Sequence, residues 1–487
     1  MSLWKHLRLS IILALVLGLE MPATITRGQQ VGAPAAPNVP EIPVPRVKAP
    51  MGVLPGVNEL PVRNEMPDVM VMNDGTKVTT VQQWQKRREE IRKILEYYAV
   101  GQAPPAPGNV KGKEVLSETA LDGKVKYRLV HLTFGPEEKL SLDIGVFTPA
   151  QGGPFPAVIM MGSAPPGSKA LPRLTAPPAS SGRGLSPMQI VSPVAPSSEA
   201  APEGPTRDIF GSPITTQSVA NQFTDLFARG YAVVVFCYTD CGEDTTLRNP
   251  DGSWAFRNTR FFQAYPNYDW GLLRAWAWGS SRIADYLATD RVIDKSRFII
   301  TGASRCGKAA MVAAAFDDRL MGAPMVTGGG GMGAYRFAGP RKSETLEKMV
   351  RNFPNWFSPN LHEFSGHKEK LPFDQHWFLA LAAPRPFIAL EGDTDTISLP
   401  EAVKQSILGA QPAYALLGAK DRIGVNYAKH GHAVTPEDWT ALMDFFDKYS
   451  RGKKIDRAFD RFPTEAELDA ALQAAEAERK AATPKKQ

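Results

Sequence analysis

The stretch that decides the fold runs from Arg297 to Phe316, RFIITGASRCGKAAMVAAAF. Its first part, Arg297–Thr301, is a short apolar run, as a strand buried on both faces requires. Its last part, Lys308–Phe316, is rich in alanine and reads as a helix. Between them lies Gly302-Ala303-Ser304-Arg305-Cys306-Gly307-Lys308. A serine on so sharp a strand-to-helix turn projects its hydroxyl above the sheet edge. Small neighbours are needed because the turn brings backbone segments close together. The first N–H groups of the following helix favour developing negative charge. The pattern is G-x-S-x-x-G, one residue longer than the common G-x-S-x-G. The same residues also fit G-x-x-x-x-G-K, a phosphate loop up to its last position. There Ala309 replaces the hydroxyl residue that would hold magnesium, and no hydrophobic strand ending in the aspartate of a nucleotide site follows at usable spacing.

Outward from this turn, strands and helices alternate. Lys124–Thr133 and Lys139–Thr148 read as strands paired across Gly135-Pro136. Phe155–Met161 and Tyr231–Phe236 are continuous apolar runs, as buried strands are. Thr80–Tyr98 carries Trp84, Ile91, Ile94 and Leu95 at helical spacing. Gln222–Arg229 reads as a helix ending at Gly230, and Tyr268–Leu287 as a long one whose tryptophans belong to the core. Gly322–Val326 leads into a loop of glycines, Gly328–Gly331. Pro386–Leu390 is a strand, Ala413–Leu417 a short element and Thr435–Tyr449 a helix. Alternation of this kind predicts an α/β chain with a mostly parallel central sheet covered on both faces, a three-layer αβα sandwich of the α/β-hydrolase fold.

The 487 residues are 43% hydrophobic and 22% charged, enough apolar material for a large core. A net charge of +6, scattered apart from Lys480, Lys485 and Lys486, leaves no nucleic-acid footprint. Lys5, His6 and Arg8 precede an apolar run from Leu9 to Leu19, too short to span a bilayer comfortably. Residues 1–29 therefore read as a secretory signal. The mature protein is expected in the periplasm or outside the cell, off the membrane and monomeric. Residues 30–66 read as a Pro-rich linker, 67–450 as the catalytic domain and 451–487 as a charged Ala/Glu/Lys-rich tail. A Pro/Ser/Ala-rich insertion covers residues 163–213. The three cysteines, Cys237, Cys241 and Cys306, make no zinc pattern and no disulfide framework; a Cys237–Cys241 bridge and two free thiols are equally open. No cofactor or metal is expected.

A nucleophilic serine needs a base and an orienting acid, in the chain order Ser, acid, His. The acid belongs after a late strand, and Glu391-Gly392-Asp393-Thr394-Asp395 follows Phe387–Leu390. Asp395 suits the loop that returns over the nucleophile; Asp393 is the alternative. The base belongs just before the final helix, where His430 and His432 both lie. His432 is nearer the helix start, with Thr435 as N-cap and Pro436 at the first position.

Several further segments resemble the glucuronoyl esterases, carbohydrate esterase family 15, in their bacterial form. They are Trp276-Ala277-Trp278-Gly279 with Ser281-Arg282 and Asp285, then Thr301–Ala309, then Phe353-Pro354-Asn355-Trp356-Phe357, then Leu371–His376 with Ala383-Pro384-Arg385. The resemblance spans about Pro67 to Tyr449. It implies hydrolysis of esters on the carboxyl group of glucuronic acid, joining glucuronoxylan to lignin alcohols, through an acyl-enzyme and without a cofactor. An acetylxylan or other carbohydrate esterase, and an inactive carbohydrate-binding relative, are the rival expectations. By position it makes Ser304 the nucleophile, His432 the base and Asp395 its partner. It gives Arg305 to the oxyanion, by backbone N–H and guanidinium, and Lys308 and Glu344 to the sugar hydroxyls. Asp374 and His376 are expected as a hydrogen-bonded structural pair beneath the site. Three positions depart from the family pattern: Ile397 stands for a tryptophan that reaches the sugar, Val326 for an alternative acid, and Ala303 with Ala433 for a cysteine pair.

Overall fold

A computed structural model describes residues 54–169, 171, 173–174, 214–337 and 343–482. The expected signal, most of the linker and most of the 163–213 insertion lie outside the described residues. The decisive stretch folds as read: Ile293–Ala303 is a strand, Ser304 the turn and Arg305–Phe316 a helix. The helix begins three residues earlier than its apolar pattern suggested, because Arg305, Cys306 and Gly307 form its first turn.

Among the described residues nine strands make one sheet: β1 (Lys111–Ala120), β2 (Val125–Phe134), β3 (Leu140–Pro149), β4 (Phe155–Gly162), β5 (Ala232–Cys237), β6 (Ile293–Ala303), β7 (Leu320–Met325), β8 (Phe387–Gly392) and β9 (Ile423–Ala428). Their spatial order is β1-β2-β3-β5-β4-β6-β7-β8-β9. β1, β2, β3 and β5 pair antiparallel in succession. From β5 to β9 every pairing is parallel. β5, β7 and β8 are buried at every residue, the reason their sequences lack polar alternation. In the parallel part the carboxyl ends of the strands lie along one rim, where an α/β sheet collects its ligands.

The helices are α1 (Val81–Leu95), α2 (Thr216–Gln222), α3 (Thr224–Ala228), α4 (Arg260–Ala264), α5 (Leu272–Leu287), α6 (Arg305–Phe316), α7 (Leu346–Asn352), α8 (His376–Ala382), α9 (Pro400–Leu416), α10 (Pro436–Tyr449) and α11 (Glu465–Ala482). They divide between the sheet's two faces. One core joins Ile159, Val234 and Ile300 to α1, α5, α6, α8 and α9. The other joins Val158, Val233 and Ile299 to α2, α3 and α10. Adjacent strand residues thus enter opposite cores, as the pleat dictates. This is the three-layer αβα arrangement of the α/β-hydrolase fold.

Several local expectations are corrected. The helix expected from Tyr268 starts at Leu272, since Gly271 N–H bonds Val100 O (2.9 Å) and Asp269 accepts from Gln102 N (2.7 Å). Tertiary contacts hold Tyr268–Trp270 outside the helix; Trp270, Trp276 and Trp278 are buried core. Ala413–Leu417 is no separate element but mostly the end of α9, which continues through Pro412. The carbonyl that loses its partner there belongs to Leu408, which is 40% exposed. β1 and β9 were not anticipated: β1 is an exposed, charged edge strand without alternation. The three cysteines are buried free thiols, so no Cys237–Cys241 bridge forms. Before Pro67, Leu54, Val57 and Leu60 pack on the core, and Tyr98 Oη donates to Pro55 O (2.6 Å). Beyond Ser450, Phe459 is buried in the second core. Among the described residues no helix is long and apolar enough to cross a membrane.

Candidate active site

Ser304 is the N-cap of α6, with φ 54° and ψ −120°. A non-glycine residue in that region costs energy and persists only where its surroundings fix it. Here β6 pairs with β7 up to Ala303–Met325, and Ser304 N donates to Met325 O (3.0 Å). The two glycines of the motif are needed for close approach. A Cβ on Gly302 would lie 2.7 Å from Cys306 Cβ, and one on Gly307 would lie 2.8 Å from both Gly302 O and Met325 O. The Ser304 hydroxyl does not cap α6, which leaves it for chemistry.

Across the parallel strands, the loop after β8 carries the acid and the loop after β9 carries the base. Asp395 Oδ2 accepts from His432 Nδ1 at 2.8 Å. The carboxylate is wholly buried, whereas the imidazole is 30% exposed. Asp395 Oδ1 accepts from Ile397 N (2.9 Å), so both carboxylate oxygens are engaged. With Nδ1 donating to the carboxylate, Nε2 is the unprotonated nitrogen of the neutral ring, the state a general base requires. The two loops are joined through backbone, Asp393 N to Ala428 O (3.0 Å) and Thr394 N to His430 O (3.2 Å). Ala303, just before the serine, and Val434 and Thr435, just after the histidine, line one cavity of about 400 Å³.

His430 is engaged elsewhere. Its Nε2 pairs with Asp438 (3.1 Å), which also accepts from Thr435 N (2.8 Å) as the capping box of α10. Asp393 makes no bond to His432 and lines a cavity of about 760 Å³ with His430, Lys429 and residues of α11. The geometry therefore brings together Asp395 and His432 and leaves Asp393 and His430 outside.

Arg305 opens α6, next to Ser304. Its Nη1 donates to Asp244 Oδ2 (2.5 Å), and its guanidinium lies 5.2 Å from the Trp356 ring centroid. Lys308, one turn on, is 1% exposed; Nζ donates to Thr327 O and to Glu344 Oε2 (2.8 Å). Burial pulls the ammonium below the usual lysine range, against the opposing pull of Glu344. An ammonium has three donors, so one remains beyond these two partners. Glu344 is less buried than Lys308, and both Glu344 and Ile397 crowd Gly328.

Asp374 and His376 are buried but are not bonded to one another, which corrects the expected pair. Asp374 accepts from Tyr335 N (2.7 Å), Arg336 N (3.2 Å) and the Arg336 guanidinium. His376 Nε2 donates to Pro67 O (2.8 Å), an acceptor shared with Trp377 Nε1 (3.0 Å). Each satisfies a different backbone segment.

Two acidic residues escaped the sequence reading. Asp244 lies in a loop after β5 with no motif of its own. Glu391, the last residue but one of β8, is wholly buried and accepts from Thr327 Oγ1 (3.4 Å). Burial, and then the Asp395 carboxylate, push it up to about 8. Its signal was visible as the first of three carboxylates in Glu391–Asp395.

A mostly parallel sheet with a strained serine at the central strand-to-helix turn, and a buried aspartate paired with a part-exposed histidine on the loops beyond, defines an α/β-hydrolase. A family model described as glucuronyl esterase, fungi, matches residues 201–418. The 4-O-methyl-glucuronoyl methylesterase of Podospora anserina is 25% identical over 80% of this chain and 68% of its own. The solved glucuronoyl esterase of Caldicellulosiruptor kristjansonii, from carbohydrate esterase family 15, is 26% identical with a TM-score of 0.61, covering 84% of this chain and 97% of that one. A promiscuous esterase of the same family, from a marine bacterial metagenome, is 26% identical with a TM-score of 0.63, covering 81% and 98%. Over most of its length the chain is similar to the glucuronoyl esterases of carbohydrate esterase family 15, and it is a carboxylic ester hydrolase.

Proposed function

We propose that the enzyme cleaves glucuronoyl and 4-O-methyl-glucuronoyl esters between glucuronoxylan and lignin alcohols, through an acyl-enzyme on Ser304. The observation that carries this reading is the 2.8 Å bond of Asp395 to His432, on a loop that lines one cavity with the residue before Ser304. In this mechanism His432 Nε2 takes the Ser304 proton as Oγ attacks the ester carbonyl, then returns it to the leaving alcohol. Asp395 holds the imidazole and stabilises the imidazolium. The N–H groups at the start of α6 and the Arg305 guanidinium receive the oxyanion, typically the largest single contribution to such catalysis. Water then repeats the sequence on the acyl-enzyme. Lys308 and Glu344 bind sugar hydroxyls from beside the turn.

In the same reading, residues 1–29 export the protein to the periplasm or beyond, a linker follows, the catalytic domain of 67–450 with its 163–213 insertion is extended by the packed residues from Leu54 and as far as Phe459, and the remainder forms a tail. The enzyme works as a monomer without cofactor or metal.

Ile397 favours a second reading, a broader carbohydrate esterase, because an aliphatic side chain supplies neither a stacking face nor an indole N–H. Hydrolysis of benzyl glucuronate measured against acetylated xylan and nitrophenyl acetate separates the two. Preference for the glucuronate ester supports the first; preference for the acetyl esters supports the second. Ser304→Ala should lower kcat by at least about 10³-fold on any of them. Survival of most of the rate would overturn the serine mechanism.

A further inference from the structure

We propose that Asp244 is a positioning residue for the reaction, holding the Arg305 guanidinium in the orientation that receives the oxyanion. The inference rests on the proposed role of Arg305.

Arg305 has two physical problems. It is a cation in the first turn of a helix, where the peptide dipoles disfavour positive charge. It is also a long side chain, 41% exposed, which loses rotamer freedom whenever it is fixed. An arginine useful to a transition state must be aimed before the charge develops, since reorientation during the reaction consumes the stabilisation it offers.

The loop after β5 answers both problems. Asp244 Oδ2 takes one hydrogen bond from Nη1. Among the described residues this is the guanidinium's one recorded hydrogen bond, so Nε and Nη2 keep their donors for another acceptor. The carboxylate is itself held, because Oδ1 accepts from Trp356 Nε1 (2.8 Å). Asn355 Nδ2 donates to the neighbouring Thr245 O (2.5 Å) and pins the same loop. Phe353 and Trp356 stack at 4.0 Å and 13°, with the guanidinium 5.9 and 5.2 Å from their centroids. Arg305 is thus bounded by a carboxylate along one edge and by aromatic surface nearby. The Phe353-Pro354-Asn355-Trp356 segment, otherwise without a task in the mechanism, is the backstop that fixes Asp244.

The alternative is that Asp244 merely satisfies a charge pair needed for folding. Its side chain is 11% exposed, and removing one partner of a largely buried pair destabilises. Asp244→Asn is the suitable probe, because its one amide oxygen keeps an acceptor for Trp356 while the charge and the acceptor facing Arg305 are removed. kcat, KM and Tm are measured with benzyl glucuronate for Asp244→Asn, Arg305→Ala and the double variant. Trp356→Phe, which keeps the stacked ring and loses the donor, covers the case in which Asp244→Asn does not fold.

Asp244→Asn is expected to lower kcat by about 10- to 100-fold with KM within about threefold, and Trp356→Phe by a smaller factor in the same direction. In the Arg305→Ala background, Asp244→Asn should cost less than about threefold, because its effect passes through the arginine. An equal loss in both backgrounds, or a loss confined to KM or Tm, overturns the proposal. So does an unchanged kcat for Asp244→Asn, or for Trp356→Phe where that variant stands in for it, while Arg305→Ala is impaired. The underlying reading fails separately. If Ser304→Ala is inactive but Arg305→Ala keeps full kcat, the oxyanion role is wrong; if Ser304→Ala is active, the serine mechanism is.

Discussion

Neighbouring residues of one type have been given different work here by the partners they reach. His432 meets a buried carboxylate on the next loop, while His430, two positions earlier, meets the cap of α10. His432→Ala should therefore remove nearly all of kcat while the protein stays folded. His430→Ala should lower Tm and leave kcat within about threefold, since its bonds are structural. Reversed outcomes would exchange the two assignments. Glu391 makes a pH-dependent prediction. Its carboxyl ionises near 4.5 when free and keeps its proton to about 8 in the fold. Between those values the unfolded state binds fewer protons, so stability falls as pH rises and levels off above about 8. Urea denaturation of Glu391→Gln should show a flatter pH profile than wild type over that window. Parallel profiles would mean that Glu391 is already ionised in the fold.

At the scale of elements, Asp438 links the site to its scaffold. One carboxylate caps α10 through Thr435 and holds His430. Asp438→Ala should cost about 1–2 kcal/mol for the cap alone, read by urea denaturation, and more if the loop loosens. The elements most legible in the sequence share a physical basis. β4, β5 and β8 lie inside the sheet, so their apolar runs had to be continuous; α1 and α10 carry capping boxes, so their starts were marked. α9 was hidden because Pro412 interrupts its pattern while costing little on an exposed face. β1 was hidden because an edge strand in water need not alternate. The Asp–His pair could be read because chain order restricts where acid and base can fall. Asp244 could not, because what selects it is a contact across 61 residues of chain. Asp374 and His376 were misjudged for the same reason: adjacency in sequence suggested a bond, and tertiary partners claimed both.

Over the whole molecule, the segment after α10 divides into two parts with different expectations. Residues up to Phe459 are tied to the fold by Val425 N to Phe459 O (2.7 Å) and by burial of the Phe459 ring. Among the described side chains of α11 only Leu468 is buried. Deleting residues 465–487 should leave Tm within a few degrees, measured by thermal denaturation; a large drop would show that α11 carries part of the core.

The same Val425–Phe459 bond has a further consequence for how copies of the chain treat one another. A sheet of nine strands ends in two rows of backbone donors and acceptors, each a template on which a second chain could grow. On one side that row is broken by an irregular register between Glu114 and Leu116 and guarded by Lys111, Lys113 and Glu118. On the other it is capped by the chain itself, folded back at Phe459. A protein cut just ahead of that residue would lose its own stopper and become prone to clumping during refolding, at concentrations where the intact chain stays dispersed.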